Sequence, residues 1–474
     1  MPEKGILIQG GPFGSVRGKM SSAVQIRSNS ITEGVIWKQI LRFFFPILLG
    51  TLFQTLYNTA DAIIVGNLLG KEALAAVSGG TAVVINLLIG FFTGLSSGAT
   101  VIISQFYGAK DEEKVHKSIH NAWAIGLWGG ILISVIGYIT SEPLLVITKT
   151  PADILAQATE YIHIYFIGGV VVVMYNIGAG IFRAFGDSRR PLYFLIVGCI
   201  SNIVLDIVMI GVLKMGVAGA AWATVLSQLI SLLLVMISLM RRTDCCKLIL
   251  RDIRFEPRML KQTLFIGFPA GFQAVLYTIS NLLIMTAINM FGTNTVAAWA
   301  AYSKIDQIYW MICNSMGITV TTFVGQNFGA GLIDRAKKGV RDSFVISMIV
   351  TFTIEALIIT FSRYTYMLFV NDPDVIDIGV RMINTIVPYF FIYLFVELLS
   401  GAARGTGKTI AATIITVFGI VGIRVLWLIF IPRFFTTIDA ILVCYPATWI
   451  ICAIAFIIYY KVGNIYYTGR IEKT

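Results

Sequence analysis

Read for polarity alone, the chain is a succession of long apolar runs separated by short polar segments. Twelve runs reach the roughly 20 residues that a helix needs to cross a bilayer. They cover residues 38–66, 74–107, 119–140, 161–182, 192–212, 217–240, 259–290, 296–328, 340–361, 380–403, 410–431 and 438–460. Each is predicted to be helical, because hydrocarbon offers no partner to an unpaired backbone group. The first run carries FFFPILLGTLFQTLYNTADAIIVG over 43–66, with an acid, Asp61, in an otherwise lipid-compatible helix. A carboxylate at that depth is costly unless partnered or neutral, and such residues mark functional sites. Helical spacing puts Gln54, Tyr57, Asn58 and Asp61 on one stripe. Pro46 removes a backbone donor and predicts a kink.

Composition agrees. Of 474 residues, 57% are hydrophobic and 13% charged, against roughly 25% charged in soluble domains, which makes this an integral membrane protein. The net charge of +11 does not indicate nucleic acid, since the basic residues are dispersed among the loops. Taken alternately, the tails and loops on one side hold 28 of the 36 Lys and Arg residues, and the other side holds six: Lys71, Lys149, Lys214, Arg363, Arg381 and Arg433. The positive-inside rule then puts both termini in the cytoplasm, and the expected location is a plasma (inner) membrane. Residues 1–35 read as a disordered tail in which Met20 is a candidate start, and 463–474 as a second tail. The first run lacks a following small-residue cleavage site and is expected to stay in the membrane. Cys199, Cys245, Cys246, Cys313, Cys444 and Cys452 form neither a disulfide framework nor a zinc spacing.

The chain repeats. Gly180-x-x-Arg183-x-x-Gly186 recurs as Gly401-x-x-Arg404-x-x-Gly407, a shift of 221 residues. At the same shift Gln105-x-x-Gly108-Ala109 recurs as Gln326-x-x-Gly329-Ala330, and Pro46 has a counterpart in Pro269 at nearly that distance. The organisation is therefore two six-span halves, 36–240 and 258–462, joined by a basic loop at 241–257. Six is even, so the repeat is parallel, one of the two arrangements of secondary transporters whose substrate site lies between halves. Gly90, Gly94 and Gly98 repeat every fourth residue and predict close helix packing.

These motifs carry a resemblance. From about residue 38 to 460 the chain resembles the multidrug and toxic compound extrusion (MATE) transporters, through Pro46 with Asp61, the paired Gln-x-x-Gly-Ala stretches and the two Gly-x-x-Arg-x-x-Gly turns. The DinF-like prokaryotic branch looks nearest. The resemblance implies a coupling-cation site at Asp61, Asn202, Asp206 and Thr224, with Tyr57 tied to it, and Na+ as a possible ligand of the first four. The residues support this on their own. Asn202 and Asp206 share a helix face, two carboxylates, an amide and a hydroxyl are hard oxygen ligands, and two nearby acids in a dry site leave one able to hold a proton. The NorM-like branch uses acids in the second half, one on span seven. That span here has none, with Gln273 and Asn281 as its notable polar residues. Gln54, Asn58, Gln273, Asn281, Asp306 and Glu397 remain candidates for a cavity or secondary polar site. Glu397 is expected to pair with Arg424, Glu355 to be structural, and Arg183 and Arg404 to hold helix-end carbonyls or lipid headgroups.

The expected fold is all-α, with twelve spans in two six-helix lobes. The expected function is a Na+- or H+-coupled antiporter exporting bulky organic compounds, cationic or amphipathic, by alternating access. It would act as a monomer, with no cofactor beyond the coupling ion. The alternative is a flippase for a lipid-linked precursor, which calls for a basic cavity, whereas only Lys304 and Arg424 fall within spans. A passive channel sits badly with the repeat, and an enzyme lacks a metal triad or nucleophile–base pair. Gly405-x-Gly407-Lys408-Thr409 resembles the end of a phosphate loop but has Ala402 at its first position and joins two spans.

Overall fold

The computed structural model describes residues 31–430, 437–463 and 465–466. Residues 1–30 and most of 463–474, read above as tails, lie outside the described residues, as do Ile431 and Arg433. The described chain is helical, with no strand among the described residues. Eleven spans are Ile36–Leu69, Lys71–Gly108, Glu112–Ile147, Arg189–Val212, Gly216–Met240, Pro257–Asn289, Thr293–Gly329, Ile333–Thr360, Pro373–Gly405, Thr409–Phe430 and Ile438–Val462. The twelfth, fourth in chain order, is Ala152–Ile167 with Gly169–Ala184, bent by 51° at Gly168. Several helices outrun the apolar runs because polar chemistry continues them. Span three begins seven residues before the predicted 119, where Asp111 caps it by accepting from the Lys114 N–H at 3.1 Å and Lys117 pairs with Glu113.

Two spans are broken at corresponding places. Span four bends at Gly168, where a side chain would strike Val225 of span six. Span ten changes to a 3-10 turn over Val387–Tyr389, at Pro388. Each break frees a backbone N–H, and the neighbouring span supplies an acceptor. Ser134 Oγ takes the Val170 N–H at 3.1 Å, and Glu355 Oε1 takes the Phe391 N–H at 2.9 Å. Acceptors and donors are related by the same 221-residue shift, so buried Glu355 does in the second half what a serine does in the first.

Each half has its own core. The first packs Trp123, Phe166, Phe182 and Val235, and the second Tyr309, Phe390, Trp449 and Phe456. Span one departs from the simple division into 36–240 and 258–462: its first turns, with Ile36, Ile40, Phe43, Phe44 and Ile47, join the core of the second half. Ile31–Val35, counted with the tail, is held there too, because Arg335 donates to the carbonyls of Ile31, Glu33 and Gly34. Pro46 lies in this segment, and the helix runs through it unbroken.

The glycine stripe of span two forms the contact between halves. A Cβ at Gly98 would come within 2.6 Å of the Gly267 N and Thr263 O of span seven, and one at Gly94 would strike Gly271. Near Gly90 the helices have separated enough that a Cβ would meet only the Ala274 Cβ at 3.8 Å. Backbones this close exclude side chains, and small residues permit it. Gly98→Ala should therefore lower stability by about 1–3 kcal/mol, the range for overpacking, while Gly90→Ala should be neutral. Melting temperatures of the detergent-purified variants check the contrast.

Candidate functional site

Asp61 lies in the C-terminal half of span one and is buried, its Oδ1 without a hydrogen-bond partner. Span five brings Asp206 to it: the two carboxyl groups lie within hydrogen-bonding reach of each other. Asp206 is fully buried and neither of its oxygens has a protein donor. One turn earlier on the same face, Asn202 is fully buried, with both amide atoms unpartnered. Asp206 is the last α-helical residue before a π-helical stretch, Ile207–Val212, a widened turn of the sort that recurs at functional sites. Tyr57, one turn before Asp61, reaches Thr224 of span six, and Thr224 is itself buried.

Tyr161 of span four was not singled out from the sequence. It is buried, its hydroxyl also reaches Thr224, and it faces Asp61 and Tyr57. Tyr165, one turn on, stacks with Tyr161 at 6.4 Å. The signal was present as YIHIY, but the spacing of aromatics on an apolar span does not separate a site wall from ordinary packing.

The arrangement is short of positive charge. No Lys or Arg forms an ion pair with Asp61 or Asp206 among the described residues. Two acids facing each other in a buried site cannot both stay ionised without a counter-charge. Besides the Asn202 Nδ2, the unpartnered atoms left by the protein are carboxylate and amide oxygens, the donor set of a small hard cation, and a proton shared between the acids satisfies the same need.

The remaining candidates go elsewhere. Gln54 and Asn58 lie on the uncovered side of span one, so the polar stripe divides, with Tyr57 and Asp61 turned towards spans four to six. In the second half, Asp306 accepts from the Trp310 Nε1–H at 2.6 Å and faces the Tyr302 hydroxyl. Gln273 accepts from Thr413 at 3.5 Å. Asn281 and Ser280 accept from Arg424, whose guanidinium lies 4.6 Å from the centre of the Tyr445 ring.

The expected pairing of Glu397 with Arg424 is not found. Glu397 Oε1 binds Arg404 at 3.0 Å, and Arg404 also donates to Ser400 Oγ at 2.6 Å. The three residues lie on one span at helical spacing, so the nearer cation wins. Arg404, expected at helix-end carbonyls or lipid headgroups, thus serves a carboxylate and a hydroxyl of its own helix; Arg183 lies beside Tyr175.

Comparison with known proteins now has a geometry to rest on. The MatE family model matches twice, over residues 46–208 and 269–431, once in each half and each time beginning at the helix proline. The chain belongs to the MATE family of transporters. Relatives include two from Bacillus subtilis, the probable multidrug resistance proteins YoeA and YpnP. YoeA is 28% identical over 90% of this chain and 94% of its own length, and YpnP 30% identical over 82% and 87%. The fold matches that of an outward-facing multidrug resistance MATE family transporter of the MOP superfamily, with a TM-score of 0.85 at 24% identity over 93% of this chain and 99% of that one. The MATE fold thus covers both six-span halves, and the chain is a multi-pass membrane transporter and not an enzyme.

Glu355 gives a test that separates architecture from transport in this MATE chain. Glu355→Ala should cost about 1–3 kcal/mol by orphaning the Phe391 N–H, whereas Glu355→Gln keeps an acceptor and should retain both stability and efflux. Thermal unfolding alongside a dye-efflux assay checks the pair.

Proposed function

We propose that this protein is a cation-coupled antiporter that exports bulky organic compounds by alternating access. The observation that carries the reading is the pair Asp61–Asp206, two buried acids with no protein counter-charge. An ion or proton arriving there is worth the cost of desolvating both acids. Its occupancy can therefore bias a global equilibrium, provided it binds one state more tightly than the other. Asn202, Thr224, Tyr57 and Tyr161 complete the wall: oxygen ligands for Na+, and hydroxyls able to follow a change in carboxylate charge. Relatives named as multidrug resistance and multidrug export proteins support organic compounds as the cargo.

The basic side of the molecule is the cytoplasmic one in this reading. On the opposite side, two of the exceptional cations are neutralised, Arg363 by Asp377 at 3.0 Å and Arg381 by Asp439.

Reconstitution into liposomes tests the proposal. Imposed Na+ or proton gradients should drive export of a fluorescent organic cation, and export should in turn move the coupling ion. Asp61→Asn and Asp206→Asn should each abolish gradient-driven flux while leaving membrane insertion intact. Tyr161→Phe should weaken coupling less severely. Undiminished coupled flux in the Asp61→Asn protein would contradict the assignment.

A further inference from the structure

The two repeated motifs that mark the halves are not used by the cation site. They meet each other at the basic ends of spans two, four, eight and ten. Span four ends in a Schellman turn: Gly186 has φ +84°, its N–H bonds the Arg183 carbonyl, and the Asp187 N–H bonds the Phe182 carbonyl. Span ten ends identically, with Gly407 at φ +84°, its N–H on the Arg404 carbonyl and the Lys408 N–H on the Ala403 carbonyl. This turn satisfies the second and third carbonyls from the end and leaves the last one, Ala184 in span four and Gly405 in span ten, without a backbone donor.

Those two carbonyls are taken by the glutamines of the other motif, each across the interface between halves. Gln105 of span two donates from Nε2 to the Gly405 carbonyl at 2.8 Å, and Gln326 of span eight donates to the Ala184 carbonyl at 2.5 Å. Both donors and both acceptors are related by the 221-residue shift, so the contacts form a reciprocal pair. The glycines of the same motif let the helices approach: a Cβ at Gly108 would strike the Gln326 carbonyl, and one at Gly329 the Gln105 carbonyl. Gln326 is fully buried.

We propose that Gln105 and Gln326 are a two-point latch holding the basic-side gate shut, and that they set the balance between the two access states. The proposal rests on the alternating-access reading of this family member. Closed, each helix-end carbonyl is buried and needs the glutamine of the opposite half. Open, the carbonyls face water and need nothing. The hydrogen bonds therefore exist in one state only and bias the equilibrium without contributing to the fold of either half. Each should favour the closed state by roughly two- to tenfold, the net value of one hydrogen bond, and the two together by roughly five- to a hundredfold.

The experiment reads conformation directly, so a failure of cation coupling does not affect it. Spin labels at Glu113→Cys and Arg341→Cys, with the six native cysteines replaced, report the distance between halves on the basic side by pulsed electron resonance in nanodiscs. Gln105→Met and Gln326→Met keep side-chain volume and lose the donor. Each should move population from the short to the long distance, by similar amounts, and the double variant further. Gly108→Ala should do the same with both glutamines present. A double variant whose distances are unchanged overturns the proposal, whether its melting temperature falls or holds. So does a shift produced by one glutamine alone. If the double variant does not fold, the two single variants decide by the same criteria.

Discussion

Two like charges brought together away from water need a third party. In this protein Asp61 and Asp206 face each other from spans one and five, and the half that encloses them supplies hydroxyls and an amide but no cation within pairing distance among the described residues. Three acids within the spans of the second half have partners inside the protein. Glu397 has Arg404, Glu355 has a backbone N–H, and Asp306 has the indole of Trp310. The pair in the first half differs in having nothing but each other, and this deficit makes its state depend on what the solution offers.

The rest of the architecture is nearly symmetric, which sets off that asymmetry. Ser134 and Glu355 mend equivalent breaks, in spans four and ten. Gln105 and Gln326 cross the interface at equivalent points, and Gly186 and Gly407 end equivalent helices in equivalent turns. Duplication explains the scaffold. It does not extend to the chemistry: at the 221-residue shift Asp61 and Asp206 correspond to Leu282 and Trp427, and the buried charge nearby is Arg424, bound to Ser280 and Asn281 and set against Tyr445. In the proposed mechanism ion sensing is thereby confined to one half, while both share the interface that has to move.

Much of this was legible in the sequence, for physical reasons. Span number follows from hydrocarbon thickness, and the halves from motifs whose spacing no folding detail could disguise. Asp61 stood out because an acid on an apolar helix is conspicuous, whereas Asn202, Asp206 and Thr224 were reached through the family resemblance, and the structure brings Asp61, Asp206 and Thr224 to one place. Tyr161 did not stand out, because a tyrosine in a membrane helix is ordinary until something polar is seen beside it. Glu397 was assigned to a distant arginine, although Arg404 stood two turns away on the same helix. The Gln-x-x-Gly-Ala motif was legible as a repeat but not as a contact, since its meaning depends on which carbonyls two other helix ends leave open. The first turns of span one pack with the second half, and no periodicity within that helix reveals which core it joins.

The central claim is that the paired acids carry a proton or a cation in place of a protein counter-charge. The most direct measurement is the number of protons released by the purified protein in weak buffer when Na+ is added. The account predicts a saturable release that disappears in both Asp61→Asn and Asp206→Asn. Release that persists unchanged in those variants, or no binding of Na+ or proton attributable to either acid, would contradict it.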